Sequence, residues 1–225
     1  MIMASINEIC QLFEKQYSKP DPAKPPLGNK LDPLDELIFI LLTVMTEYGA
    51  EKVFIELKRR YQQWQDVLTS SREEFYFYIK PLGLVTQRGN KIIDILHELK
   101  ERFGLVTLDP LYNFSDQDAE KFLISLPGIG KKVARCIMMY SLNRDVFPVD
   151  THVYRICKRL GLLPESISWQ KAHDMLQDLV PIEYRYSLHV NMVIHGREVC
   201  RSKRPLCEKC FLAKMCPNFC GGVLW

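Results

Sequence analysis

Four cysteines, Cys200, Cys207, Cys210 and Cys216, fall within seventeen residues in the pattern C-x6-C-x2-C-x5-C. Thiolates on loops this short close around a metal centre at little entropic cost, and both iron-sulfur clusters and structural zinc accept four cysteine ligands. Zinc ribbons usually set two short Cys-x2-Cys knuckles across a longer span. Only one such pair occurs here, so the spacing favours a [4Fe-4S] cluster over zinc. Cys220 reads as a spare thiol beyond the set. Arg197, Arg201, Lys203, Arg204, Lys209 and Lys214 surround the four-cysteine site, making the stretch between Cys200 and Cys207 a basic protrusion that suits a DNA backbone or is merely solvated.

A second constellation spans residues 126 to 150. Leu126-Pro127-Gly128-Ile129-Gly130-Lys131-Lys132 joins two helical stretches through a turn in which two glycines can take positive φ and bring bare backbone near a partner. Amide N–H groups there, with the dipole of the following helix, suit a phosphate oxygen, although an ordinary helix-turn-helix corner has the same makings. Lys132 falls in the first turn of that helix, where the dipole and Lys131 both disfavour a positive charge. A neutral amine is a nucleophile able to attack C1′ of a deoxyribose, expel the base and form a Schiff base; the plainer alternative is a solvated lysine. Asp150 follows eighteen residues later in Phe147-Pro148-Val149-Asp150-Thr151-His152. Its carboxylate can stabilise an oxocarbenium-like sugar or move a proton, and can cap the next helix; the two roles are compatible.

These groups need helices to hold them. Residues 1 to 17 read as a helix, and Lys19 to Lys30, with Pro20, Pro22, Pro25, Pro26 and Gly28, as an extended linker. From Asp32 onward helical stretches alternate with breaks at Gly49, Ser70 and Ser71, Pro81 to Gly83, Gly104 to Pro110, Pro127 to Gly130 and Asn143 to Pro148. The spacing predicts a helix over 131–142 with Val133, Ile137 and Tyr140 on one side, and another over 151–160 with Val153, Ile156, Cys157 and Leu160 on its apolar face. Strand and hairpin signals are sparse, so the fold class is all-α.

Composition sets the frame. The 225 residues allow one large domain or two small lobes sharing a cleft, and 47% of them are hydrophobic, enough for a real core. A formal charge of +3, from 30 Lys and Arg against 27 Asp and Glu, does not by itself announce a nucleic-acid binder. Cys10, Cys136 and Cys157 lie scattered in apolar surroundings, and MIMASINEICQLFEKQY is amphipathic with Glu8 and Glu14, which argues against an export signal and for a reducing, intracellular compartment. The longest apolar run, Leu37 to Met45, is about half a membrane span, so a soluble protein with no membrane partner is expected.

From about Asp32 to Cys216 the sequence resembles the endonuclease III family of helix-hairpin-helix (HhH-GPD) DNA glycosylases, on LPGIGKKVA, VDTH and the C-x6-C-x2-C-x5-C ending in that order and spacing. The resemblance implies a two-lobed helical fold: residues 33–144 as a six-helix lobe containing the hairpin at 126–132, and residues 1–32 with 145–225 as a discontinuous second lobe carrying the [4Fe-4S] loop at 200–216. It implies Lys132 as catalytic lysine and Asp150 as catalytic aspartate, with Gly128, Ile129, Gly130 and neighbouring Lys131 on backbone phosphate. Leu84, in Pro81-Leu82-Gly83-Leu84, takes the place of the apolar residue that fills the stack when a nucleotide flips out. Where the family commonly has Ser-Ala-Gln or Ser-Gln-Asn, this chain has Thr43-Val44-Met45-Thr46-Glu47, so Met45 can wedge but cannot hydrogen-bond an orphaned base. CIMMYSLNRDVFPVD and VYRICKRLGLLP also resemble the plant 5-methylcytosine glycosylases, a branch of the same superfamily.

The expected function is therefore a bifunctional glycosylase and abasic-site lyase of base excision repair. It is expected to work as a monomer on double-stranded DNA with a damaged or mismatched base, oxidised pyrimidines being the default, in the cytoplasm or nucleoid if the source is prokaryotic. A mismatched or methylated pyrimidine is the alternative substrate, and a non-catalytic sensor of damaged duplex the alternative class. Base flipping explains the need for wedges, since C1′ is out of reach in a stacked duplex and extrusion costs a few kcal/mol, least at damaged or mismatched pairs.

Overall fold

Six helices begin in the same way: Ser5, Asp32, Ser71, Ser115, Asp150 and Ser168 each sit in extended backbone and accept, on a side-chain oxygen, the N–H of the residue three positions on. Each such cap is worth about 1 kcal/mol and fixes where its helix starts. In the computed structural model, which describes residues 5–46 and 49–219, the α-helices are α1 (Ile6–Tyr17), α2 (Pro33–Thr43), α3 (Ala50–Arg60), α4 (Arg72–Ile79), α5 (Val85–Phe103), α6 (Asp116–Ser125), α7 (Lys131–Tyr140), α8 (Thr151–Arg159), α9 (Trp169–Leu179) and α10 (Arg185–Glu198). Short 3-10 turns fill several connections, and no strand occurs among the described residues, so the fold is all-α. Among them no helix is long and apolar enough to cross a membrane.

The chain divides into two compact units, one built from the residues up to Leu27 together with those from Asp145 on, the other from Gly28–Arg144. In the second, α2 is apolar nearly all round and buried from Glu36 to Leu42, packing against α3, α5 and α7. The connector residues Asn29 and Lys30 belong with this unit because both bond Glu36 of α2, and Lys30 O also accepts from Ser141 Oγ at 2.8 Å. Helices α6 and α7 pack side by side, and a buried ion pair, Arg135 Nε to Glu120 Oε1 at 2.6 Å, ties them. Removing Glu120 takes a close carboxylate away from a guanidinium that burial has already desolvated. Glu120→Ala is therefore expected to lower the unfolding free energy by about 3 kcal/mol in urea titration; a loss under about 1 kcal/mol would mean that the hairpin is held by other contacts.

The other unit packs α10 against both α1 and α8. Its core runs through Ile9, Cys10 and Phe13 of α1, Val153, Ile156 and Cys157 of α8, and Leu188 and Met192 of α10. The regular apolar face expected for α8 is thus seated in a core. Helix α7 departs from expectation. It ends at Tyr140, and all seven residues from Ala134 to Tyr140 are buried while Val133 is only half-buried, so the helix is enclosed on every side rather than along one stripe. Arg135 lies in that shell with Glu120 meeting its guanidinium.

Candidate active site and cofactor site

Between α6 and α7 the turn uses one left-handed glycine, not two. Gly128 has φ 68°, and a Cβ there would lie 2.7 Å from Lys91 Cε and 2.9 Å from its Nζ, so any side chain would displace Lys91. Gly130 has φ −98° and ψ 172°, an extended conformation open to any residue; it stands before α7 as N-cap, and a Cβ on it would project into open space. Ile129 is buried and its N–H donates to Leu126 O at 3.1 Å, closing the turn from inside while Gly128 and Gly130 remain at the surface. Lys131 and Lys132 follow in the first turn of α7, both half-buried.

Glu36 is a buried acid in this unit that the sequence did not announce. It is 0% exposed and accepts from Asn29 Nδ2 at 2.5 Å and from the Lys30 N–H at 2.6 Å. Burial pushes its carboxyl up to about 7, against those two hydrogen bonds and the positive charges of Lys132 and Lys30. A carboxyl raised above its unfolded value stabilises the fold most while protonated, so that contribution is present below the unfolded pKa near 4.5 and is lost as pH rises through about 7. The native protein is expected to lose on the order of 2–3 kcal/mol between pH 4.5 and 8 through this group. Comparing urea unfolding of native and Glu36→Gln protein across that range isolates it; equal pH slopes would sink the assignment.

Asp150 caps α8, with Oδ1 accepting the Val153 N–H at 2.8 Å. This bond orients the carboxylate and occupies one of its oxygens. In the Gly28–Arg144 unit, Met45 follows the end of α2, 87% exposed at φ 57°, and Leu84 precedes α5, 51% exposed at φ 49°. Left-handed backbone costs a residue with a side chain about 1–2 kcal/mol, so both exposed apolar residues are held in conformations that they would not choose.

The four C-terminal cysteines line one cavity of about 150 Å3, together with Arg159, Val199 and Leu206. Among the described residues no group of three or more His, Cys, Asp or Glu is placed as the ligands of a single ion. Burial raises the Cys210 thiol to about 11, and Cys200, Cys216 and Cys207 add to the shift, so the four act on one another. Two outer groups approach this set. Arg159 Nη1 donates to Cys200 Sγ at 3.2 Å and to Arg201 O at 2.8 Å. His195 Nε2 lies 3.5 Å from Cys210 Sγ, and its Nδ1 lies 2.9 Å from the Tyr17 hydroxyl. Desolvation, followed by the charge of Arg155, depresses His195 to about 4, so the ring is neutral. Only if Cys210 were a metal-bound thiolate would it be restricted to accepting, which would put the proton on Nε2 and make Tyr17 the donor to Nδ1. Arg201, Lys203 and Arg204 stand exposed beyond. Cys220 lies outside the described residues.

Residues 40–181 match the family described as HhH-GPD superfamily base excision DNA repair protein. The chain belongs to that superfamily. Within it the chain falls in the endonuclease III family: it is 31% identical over 217 residues to Endonuclease III of Thermotoga maritima, covering 96% of this chain and 92% of that protein. A relative from Arabidopsis thaliana is 32% identical over 165 residues, 73% of this chain; the match spans 56% of the plant protein. The fold matches a structure of a non-covalent Endonuclease III-DNA complex with a TM-score of 0.79 at 24% identity, over 96% of this chain and 97% of that one.

Glu36, Arg88, Arg159 and the Tyr17–His195 pair were missed in the sequence. For Glu36 a signal existed, since an acid three residues after Pro33 and four before Ile40 falls on a face that is otherwise apolar. For the others no local pattern points to partners so far away in the chain.

Proposed function

We propose that this chain is a bifunctional DNA glycosylase and abasic-site lyase acting as a monomer on double-stranded DNA that carries an altered pyrimidine, oxidised pyrimidines first. The observation that carries this reading is the position of Lys132, half-buried in the first turn of α7 behind a hairpin whose surface glycines leave backbone bare. A DNA phosphate fits against that bare backbone and the N-terminal dipole of α7, with Gly128, Gly130 and Lys131 beside it and Ile129 bracing the turn from inside. Met45 and Leu84 enter the stack when the damaged nucleotide leaves it.

Once it has given up its proton, the Lys132 amine forms a bond to C1′ as the C1′–N glycosidic bond breaks, and the base departs with the electron pair and takes up a proton. Asp150 stabilises the positive charge that develops on the sugar and assists proton movement. The resulting aminosugar opens to an iminium; loss of a C2′ proton then expels the 3′ phosphate by β-elimination, and water hydrolyses the imine to restore the lysine. Cys200, Cys207, Cys210 and Cys216 hold a [4Fe-4S] cluster, for which a cavity lined by four mutually coupled thiols and two outer groups is suited. These steps transfer no net electrons, so the cluster organises the basic 201–204 loop. A protein with these parts works where the DNA is, inside the cell.

Borohydride trapping on duplex DNA containing an abasic site tests the chemistry. A covalent adduct supports a Schiff-base lyase, and none in repeated trials overturns it. A panel of duplexes with oxidised, mismatched and methylated pyrimidines then identifies the base, and anaerobic iron and sulfide analysis distinguishes cluster from zinc.

A further inference from the structure

One side chain, Arg88, bonds backbone in both of the turns that carry Met45 and Leu84. Arg88, in the first turn of α5, is 6% exposed, and burial lowers its pKa. Among the described residues its guanidinium meets backbone carbonyls and no carboxylate. Nε donates to Leu41 O at 3.1 Å, Nη2 to Val44 O at 2.6 Å, and Nη1 to Leu82 O at 3.0 Å and to Gly83 O. Leu41 and Val44 belong to the C-terminal end of α2, whose last carbonyls have no partners within the helix. Arg88 therefore caps α2 from another helix.

The identity of the accepting carbonyls gives the inference. Val44 O belongs to the peptide group that leads into Met45, and Gly83 O to the one that leads into Leu84. Holding those two peptide planes fixes the starting frame for φ at Met45 and at Leu84, the two left-handed residues whose side chains stand exposed. Side chains do not fill the space between the turns, because a cavity of about 90 Å3 lies there, lined by Leu41, Val44, Leu84, Gln87, Arg88 and Lys91. The tie is thus chiefly the guanidinium. Its planar fork carries five N–H donors, whereas a lysine ammonium has three on one point and cannot reach four carbonyls spread over two turns.

We propose that Arg88 is a positioning residue that locks the Met45 and Leu84 turns into one rigid double wedge, so that both enter the duplex together. It touches neither the reacting atoms nor, on this geometry, the DNA. The proposal rests on the wedge roles given to Met45 and Leu84 above, and the experiment separates the two claims. Full-length protein is bound to a duplex carrying a tetrahydrofuran abasic analogue next to 2-aminopurine, whose fluorescence rises on unstacking. Lyase rates are measured in parallel on abasic duplex and on abasic single strands, which need no wedge.

Met45→Ala and Leu84→Ala are each expected to reduce the fluorescence rise; if neither does, the wedge reading fails whatever Arg88 does. Arg88→Lys and Arg88→Gln are expected to lower the duplex-to-single-strand rate ratio at least tenfold, chiefly through a raised KM. In an Arg88→Lys background, Met45→Ala and Leu84→Ala should change the fluorescence less than twofold further, because the wedges are already out of register. An unchanged ratio, fully additive wedge effects, or equal loss on both substrates overturns the proposal, the last marking a merely structural role. Should both Arg88 variants fail to fold, nuclear magnetic resonance of the native protein decides: the Arg88 Nε–H should exchange slowly with and without bound duplex, and exchange at the rate of a solvated arginine overturns the coupling.

Discussion

Lys132→Ala abolishes the borohydride-trapped adduct with abasic duplex DNA and lowers strand nicking by at least about 10³-fold, on the reading that its amine is the nucleophile. No general base or oriented water can replace a missing covalent bond in a Schiff-base route, so the loss falls on kcat. The fold tolerates the change, because the side chain is only half-buried at the start of a helix whose remaining seven residues are enclosed. One trace remains: the positive charge of Lys132 favours ionised Glu36, and its removal leaves that carboxyl still harder to ionise. Lys132→Arg separates the effects, since it keeps the charge and its influence on Glu36 while a guanidinium forms no Schiff base. Full trapping with Lys132→Ala would return the assignment of nucleophile to another amine.

Asp150→Asn is the second large effect, and it divides the residue's two roles. Base release should fall about 10²- to 10⁴-fold, the range for loss of a positioned proton-transfer or charge-stabilising group. The helix cap should survive, because asparagine caps as well as aspartate and its amide oxygen can accept the Val153 N–H. Asp150→Ala loses both, costing about 1 kcal/mol of stability besides the activity. Nicking of a preformed abasic site, which skips base loss, should suffer less than excision. Excision intact in both variants, with stability lost only in Asp150→Ala, would reduce Asp150 to a cap.

The sequence shows some of this arrangement because the signals are local. The cap at Asp150, the break at Pro127 to Gly130 and the cysteine spacing all operate within a few residues, so composition and spacing carry them. The two-glycine expectation failed at Gly130 for a related reason: a Pro-Gly-x-Gly string reveals where a turn lies but not which glycine bears the positive φ. Val133 misled because period alone assumes one buried face, whereas α7 sits among neighbours on all sides. Arg88 was illegible for a deeper reason. Its partners are main-chain carbonyls, 5 and 6 residues away on one turn and 44 and 47 on the other, and a carbonyl has no residue type to read. The same holds for His195, whose partner Tyr17 lies 178 positions distant.

That separation bears on how the molecule is made. Ile9, Cys10 and Phe13 of α1 find their core partners on α8 and α10, and Ser187 reaches back 173 positions to Glu14. At a synthesis rate of roughly 5–20 residues per second, α1 leaves the ribosome about ten to forty seconds before α10 exists. The contiguous stretch 28–144 can collapse on itself in that interval, whereas the apolar stripe of α1 must stay unburied. Closing a loop of this length adds only slowly growing entropy, so the delay is one of time and exposure more than of final stability. The nascent chain is consequently most vulnerable to aggregation and proteolysis at α1, and, on the proposal that Cys216 is the last cluster ligand, the ligand set is complete only after Cys216 has emerged.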